Sequence, residues 1–370
     1  MNEEELSVFK LFLAADIGAR RLSNLIETFG SAKAAFNASK TDLLQIEGVG
    51  AKTADEILNI KNSGIAEQEL EKARERNIKI LLAGNKDYPQ VLKDFSDSPV
   101  VLYVKGDLTE KDLNSIAVVG SRKPTNYGRS VTCEFAGYFA KKGLTVVSGL
   151  ARGIDTEAHT AALKNNGRTI AVLGNGLFVN YPPENAKLQE KISAAGAVIS
   201  EFPLEQKPDL WTFPRRNRII AALSKATLVT EAAQKSGAVI TARFAAEYGK
   251  DVFAVPGSVY SVLSKGANSL IKDGAFLALT PQDMLEQITD INIYSDNENE
   301  KSPNLSASLS ENEQKALNLI KDCDEGLHSD IIAQKLNIEI SEIAAIIFKL
   351  EAEGLIKAAP GQFYTAVRTT

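Results

Sequence analysis

Glycines, small hydroxyl residues and bases follow several apolar runs of the sequence, where they could bind phosphate. The run SIAVV is followed at once by Gly120, Ser121, Arg122 and Lys123. Similar pairs stand after later runs: Ser148-Gly149, Arg152-Gly153, Ser236-Gly237 and Pro256-Gly257. Backbone N–H groups at such turns, together with guanidinium groups, are good donors to phosphate oxygens. These loops predict an anionic ligand, which could be a cofactor, a nucleotide or a nucleic-acid backbone.

The densest basic segment is WTFPRRNRIIAALS, residues 211–224. It carries Arg215, Arg216 and Arg218 at a predicted helix start, with Trp211 and Phe213 just upstream. Guanidinium groups bind phosphates and aromatic rings stack on unpaired bases, so this composition suits single-stranded nucleic acid. The same pattern also fits a helix whose aromatic residues lie in the core and whose arginines face solvent. The segment alone leaves both interpretations open.

Alternating strands and helices must position these loops. From residue 115 the runs SIAVVG, LTVVSG, RTIAVLG, AVISEF, ATLVTE and DVFAVPG alternate with amphipathic segments. Short, continuously apolar strands between helices indicate a parallel sheet covered on both faces. We therefore expect an α/β fold with a doubly wound, Rossmann-like sheet, whose ligand lies at the carboxyl ends of the strands.

Two further domains and a linker are expected around that sheet. Residues 1–75 have helical periodicity and two glycine turns, DIGARRL and IEGVGAKTADEI. The second turn resembles a helix-hairpin-helix, part of a helical SAM-like or helix-hairpin-helix-like domain, and an ordinary αα-hairpin is the alternative. Residues 76–290 form the Rossmann-like domain, and the polar segment 291–309 is predicted to be a flexible linker.

The tail, residues 310–370, predicts a winged helix from three short helices and a hairpin. It carries ten acidic residues against six basic ones, and its would-be recognition helix, EISEIAAIIFKLEAEG, has four glutamates and one lysine. Phosphates would repel such a helix, so we expect it to contact protein or to regulate rather than to read a DNA groove.

Composition excludes several classes of function. The net charge is −5, yet residues 115–285 carry 20 Lys and Arg against 13 Asp and Glu, so only the middle of the chain favours an anion. Neither a dinucleotide fingerprint nor a phosphate loop is intact, because Arg122, Val179 and Asp251 stand at required positions. Two cysteines and two histidines cannot build a metal site or a disulfide framework. We expect no cofactor, no metal, no membrane insertion and a cytoplasmic location, since the acidic N-terminus lacks signal-peptide features.

Six collinear motifs resemble the DprA/Smf family of DNA-processing proteins. They are YPQVLKDFSDSPVVLYVKG, VVGSRKPTNYG, VSGLARGIDTEAH, FPRRNRIIAALS, EAAQKSGAVITARFA and VFAVPGS. The resemblance implies a protein that binds incoming single-stranded DNA without sequence preference and loads the RecA recombinase during natural transformation, as a homodimer. It also implies that Arg122 holds a backbone phosphate, that Phe213 contacts a base, and that Arg216, Asn217, Arg218, Ser236 and Gly237 line the pocket.

A phosphoribohydrolase acting on nucleoside monophosphates is the alternative on the same type of fold. Glu231 in VTEAAQKSG could serve as its acid/base residue, but Ala232-Ala233 replaces the Pro-Gly-Gly turn of those enzymes. We therefore expect a binding protein rather than an enzyme. Phe178 departs from the DprA/Smf pattern, which usually has Asp there, so the role of that loop stays open.

Overall fold

A computed structural model describes residues 1–15, 17–61, 63–288, 310–321, 323, 327–352, 355–359 and 363–366. The chain divides into two compact units, Met1–Ser295 and Asp296–Thr370. The predicted linker 291–309 lies outside the described residues, so the three predicted boundaries between the segments stay a prediction.

Six helices begin the first unit: α1 (Glu3–Ala15), α2 (Ala19–Phe29), α3 (Ala32–Asn37), α4 (Lys40–Leu43), α5 (Ala51–Ile60) and α6 (Ile65–Glu75). The glycine turn before α5 needs Gly48, whose φ of +84° lies in the left-handed region that other residues disfavour. Phe9 and Phe12 of α1 are buried in the same apolar cluster as Tyr103 and Leu173 of the sheet domain. This helical module therefore shares a core with the sheet.

Among the described residues, nine strands form one sheet in the order β1-β2-β6-β5-β4-β3-β7-β8-β9. Their bounds are β1 (Ile78–Leu82), β2 (Val101–Gly106), β3 (Ser115–Val119), β4 (Thr145–Ser148), β5 (Thr169–Val172), β6 (Ala197–Ser200), β7 (Ala226–Val229), β8 (Asp251–Ala254) and β9 (Phe276–Leu277). The strands from β3 to β9 pair in parallel. The chain winds outward from β3 to β6 and then returns to place β7 on the other side of β3. That reversal confirms the doubly wound sheet and its switch point between β3 and β7.

Helices cover both faces of the sheet. They are α7 (Gln90–Lys93), α8 (Asn126–Lys141), α9 (Ile154–Lys164), α10 (Ala186–Ala195), α11 (Thr212–Leu223), α12 (Gly237–Glu247), α13 (Lys265–Lys272) and α14 (Pro281–Gln287). Ala117 and Val119 of β3 pack in the cluster that includes α11 and α12. Ile116 and Val118 pack on the opposite side, in the cluster that includes α8 and α9. Alternate side chains of one strand therefore hold the two helical layers in place.

The sheet differs from the prediction at both edges. β1 pairs antiparallel with β2, and β2 pairs antiparallel with β6, so the sheet is mixed rather than wholly parallel. Two strands, β1 and the two-residue β9, are not predicted by the sequence pattern. IKILL is apolar but follows a charged helix without a turn of glycine or proline to mark its start. Phe276 and Leu277 are both exposed, so β9 lacks the apolar pattern of a buried strand.

The second unit contains α15 (Glu311–Lys321), β10 (Leu327–His328), α16 (Ser329–Leu336), α17 (Ile340–Ala352), β11 (Ile356–Ala359) and β12 (Phe363–Ala366). Its strands form a separate antiparallel sheet in the order β10-β12-β11. The three helices and the hairpin follow the predicted order, whereas β10 was not foreseen. The assignment to the winged-helix fold stays a prediction. Across the described part of both units, no helix has the length and apolar character needed to span a membrane.

Candidate nucleic-acid interface

A cleft of about 410 Å³ opens at the carboxyl ends of β3, β4 and β7, beside the first turns of α11 and α12. Seven of the twelve predicted site residues line it: Gly120, Arg122, Phe213, Arg216, Asn217, Ser236 and Gly237. The sequence thus predicted the edge of the sheet at which the cleft opens, and the assignment of these residues to DNA binding stays a prediction. The structure adds Asp155, Tyr181, Leu210 and Thr241.

The loop after β3 is held by its backbone and presents Arg122. The Ser121 N–H donates to the Glu231 carbonyl at 2.7 Å, and the Ser121 carbonyl accepts from the Ile154 N–H at 3.1 Å. A Cβ at Gly120 would lie 2.6 Å from the Ile154 side chain, so only glycine fits there. Arg122 and Lys123 are both exposed. The guanidinium carbon of Arg122 lies 5.0 Å from the centre of the Phe213 ring, a cation–π contact at the mouth of the cleft.

Glu231 has a structural partner on the same loop. Its buried carboxylate accepts from the Thr125 N–H at 2.8 Å and from the Thr125 hydroxyl at 2.7 Å. Thr125 is the N-cap of α8, and its hydroxyl in turn accepts from the Gly128 N–H. Both carboxylate oxygens are therefore engaged at a helix start rather than turned toward the cleft.

Arg216 lies beneath the cleft, with only 4% of its surface exposed. Its Nη1 donates to the Gly149 carbonyl at 2.6 Å and also to the Val172 carbonyl, while its Nε donates to the Asn217 side-chain oxygen at 3.2 Å. Burial lowers the pKa of Arg216 to about 10, which still leaves it charged at neutral pH. Arg216 thus joins the ends of β4 and β5 and places a positive charge under the floor.

Asp155 lies close to the charge of Arg216, and the sequence did not indicate it as a site residue. Its carboxylate accepts from the Ala151 N–H at 3.2 Å. Burial raises the pKa of Asp155, and the nearby charge of Arg216 acts against that rise. The acidic residue offsets part of the positive potential of the floor.

Arg215 and Arg218 project from the side of α11 opposite to Arg216. Arg215 Nε donates to Glu201 Oε2 at 3.0 Å, and Arg218 Nη2 donates to the same oxygen at 2.6 Å. Neither lines the cleft, because residues three apart on a helix share one face while Arg216 occupies another. Arg152 is also outside the lining and pairs with Glu184 at 3.0 Å. Ser121 and Lys123 flank the cleft without lining it.

The two aromatic residues before α11 lie in different surroundings. The Phe213 ring is 5.5 Å from the Tyr181 ring, and a Cβ at Gly174 would lie 2.7 Å from it. Trp211 instead packs edge-on against Phe202 at 5.6 Å, outside the cleft. The open role of Phe178 also resolves as packing, since its ring lies under the Arg76 guanidinium at 4.3 Å. Phe213 is therefore the aromatic residue of the pair that can meet a ligand in the cleft.

The part of the chain that the structure describes contains no group of three or more His, Cys, Asp or Glu side chains arranged to hold a metal ion.

Comparisons with known proteins agree with this architecture. The family model of DNA recombination-mediator protein A matches residues 79–289. A helix-hairpin-helix model matches residues 31–60, and one for the replication protein A C-terminus matches residues 262–359. Protein Smf of Escherichia coli is 36% identical over 335 residues, which are 87% of this chain and 86% of that protein.

Two solved structures are similar as well. DNA processing protein A (DprA) from Streptococcus pneumoniae is 34% identical with a TM-score of 0.68, and the match covers 78% of this chain and 98% of that one. DNA processing protein A from Helicobacter pylori, studied for its single-stranded DNA binding mode, is 31% identical with a TM-score of 0.51 over 56% of this chain and 94% of that one. The chain therefore belongs to the DNA recombination-mediator protein A family, known as DprA or Smf.

Proposed function

We propose that the protein binds single-stranded DNA in the cleft without sequence preference and loads RecA onto it during natural transformation. The observation that carries the proposal is the pairing of Arg122 with Phe213 at the cleft mouth, at the switch point of the sheet. The guanidinium suits a backbone phosphate and the ring suits an unpaired base, two partners that a single strand offers next to each other. The binding mode studied for the Helicobacter pylori relative supports the same ligand.

The hydrogen bonds of the cleft wall support binding without sequence preference. The side-chain oxygen of Asn217 accepts from Arg216, and its amide nitrogen donates to the Gly237 carbonyl at 3.1 Å. Ser236 accepts from the Ala238 N–H as the N-cap of α12. Side chains engaged in this way contribute shape and charge rather than a reading of base edges, whereas stacking tolerates every base.

A homodimer would form along the outer edge of β9. Phe276, Leu277 and Leu279 are exposed there, the last at 63%, and Tyr260 in the segment between β8 and α13 is 93% exposed. An unpaired strand edge with several exposed apolar residues favours association with another chain. RecA loading rests on the family, whose members are named as recombination mediators. A cytoplasmic location accords with a partner such as RecA.

The alternative function, hydrolysis of nucleoside monophosphates, finds less support. Its candidate acid/base residue, Glu231, is engaged by Thr125 and does not line the cleft. Turnover of AMP that disappears in Glu231→Gln would favour that alternative over a binding protein.

The test is fluorescence anisotropy with labelled oligo-dT and a matched duplex, titrated with salt. We expect Phe213→Ala to weaken oligo-dT binding by about 1–3 kcal/mol, the range for one stacked base, without changing the salt dependence. Trp211→Ala is the matched control, since that ring lies outside the cleft, and it should bind normally. Equal affinity of the wild type for duplex and single strand, or normal binding by Phe213→Ala, would contradict the proposal.

A further inference from the structure

Helix α17 of the second unit has an exposed apolar stripe. Ile343, Ile346, Ile347 and Leu350 face the core of that unit. On the other side, Ala344, Ala345 and Phe348 are exposed, and Phe348 leaves 74% of its surface in solvent. Ile340 at the start of the helix is 62% exposed. Exposed large apolar residues grouped on one helix face mark a site of interaction.

The charges around this stripe are negative. Glu339, Glu342 and Glu351 are all exposed. The lysine of the helix, Lys349, pairs with Glu313 of α15 at 2.8 Å, and that hydrogen bond lowers the pKa of the Glu313 carboxyl. Its positive charge is therefore balanced within the unit rather than offered to a ligand.

This combination does not suit duplex DNA. A helix in the major groove needs basic side chains that face the phosphates and polar side chains that face the edges of the nucleobases. The exposed face of α17 presents carboxylates and apolar side chains instead. A partner that complements this face would carry basic side chains opposite the carboxylates. It would also carry a large aliphatic side chain that packs over Phe348.

We propose that the outer face of α17 is a docking site for a basic amphipathic helix of a partner protein. Lysines or arginines of that helix would face Glu339, Glu342 and Glu351, and its apolar side chains would pack on Phe348 and the flat surface of Ala344 and Ala345. The site uses no residue of the DNA-binding cleft and stands independently of the proposed function.

The experiment uses the full-length protein labelled at the isoleucine methyl groups and three probes. The first is a synthetic helical peptide with leucines at i, i+3, i+4 and i+7 positions and lysines elsewhere. The second has glutamates in place of the lysines, and the third is a DNA duplex. We expect the lysine peptide to shift the methyl signal of Ile340, which lies on the proposed docking face, whereas the other two probes leave it in place.

Two variants decide whether the stripe carries the contact. Phe348→Ser should weaken binding of the lysine peptide at least tenfold, as expected for a central aromatic anchor. Phe363→Ser is the matched control, an exposed aromatic residue of the same unit on β12, and it should keep the wild-type affinity. Unchanged affinity in a folded Phe348→Ser protein, shifts caused by the duplex, or equal binding of the glutamate peptide would each overturn the proposal.

Discussion

Replacing Arg216 with methionine should destabilise the first unit far more than the same replacement of a surface arginine would. The change leaves the carbonyls of Gly149 and Val172 without their buried donor and removes the charge next to Asp155. An unsatisfied buried polar group costs about 1–3 kcal/mol, and breaking a buried charge pair costs about 3–5 kcal/mol. Since these costs overlap, we expect a loss of about 3–5 kcal/mol in the free energy of unfolding.

Urea unfolding followed by tryptophan fluorescence measures this loss. Trp211 is the single tryptophan of the chain and packs on Phe202 at 5.6 Å, so its emission reports on the unit that contains Arg216. Arg129→Met is the matched control, because Arg129 pairs with Glu157 at the surface and such pairs contribute about 0–1 kcal/mol. The double variant Arg216→Met with Asp155→Leu should recover part of the stability, since it replaces both members of the pair.

The refuting result is specific. If Arg216→Met lost less than about 1 kcal/mol while oligo-dT affinity fell tenfold, Arg216 would be a ligand-binding side chain and not a tie between strands.

Three further predictions concern the cleft and the second unit. Arg122→Ala should weaken oligo-dT binding by about 1–3 kcal/mol and make the slope of log K against log salt shallower by about 0.7, one phosphate contact; Arg74→Ala, an exposed arginine of α6, should leave both unchanged. Asp155→Asn should gain stability relative to the wild type as the pH rises above the ordinary aspartate pKa, because burial raises the pKa of Asp155 and the stability contributed by its protonated form is lost as the pH rises through that raised pKa; urea unfolding at several pH values measures this difference, and a variant that loses stability relative to the wild type over that range would reverse the sign. Removing residues 300–370 should leave the affinity for oligo-dT unchanged in fluorescence anisotropy, because this tail carries more acidic than basic residues. A tenfold loss of affinity would show that this unit contacts DNA.

The sequence predicted the inner strands and the edge of the sheet at which the cleft opens, because both follow from local patterns. Continuous apolar runs between amphipathic helices require a buried parallel sheet, and the switch point of such a sheet fixes where the loops meet. β9 escaped because its exposed Phe276 and Leu277 have no buried pattern to recognise. Tyr181 and Leu210 lie in loops, and their approach to the cleft depends on tertiary packing that no short-range spacing reveals.

The orientation of the arginines could have been predicted in part. Arg216 stands three, four and seven residues before Ile219, Ile220 and Leu223, which is the spacing of one helix face. All three of these residues are buried, and Arg216 lies with them. The sequence suggests one basic surface formed by the three arginines. The helical period instead places Arg216 at the cleft and Arg215 and Arg218 beside Glu201.

The attachment of the Arg122 loop affects how quickly a ligand can be captured. Glu231 reaches Thr125 across 106 positions of sequence, and the Ser121 backbone is bonded on both sides. The conformational entropy of this loop is therefore lost when the chain folds and not when a strand arrives. A loop already in its bound shape needs no slow rearrangement after encounter, so association should be limited by diffusion and electrostatic steering, and differences in affinity among variants should arise mainly from dissociation rates.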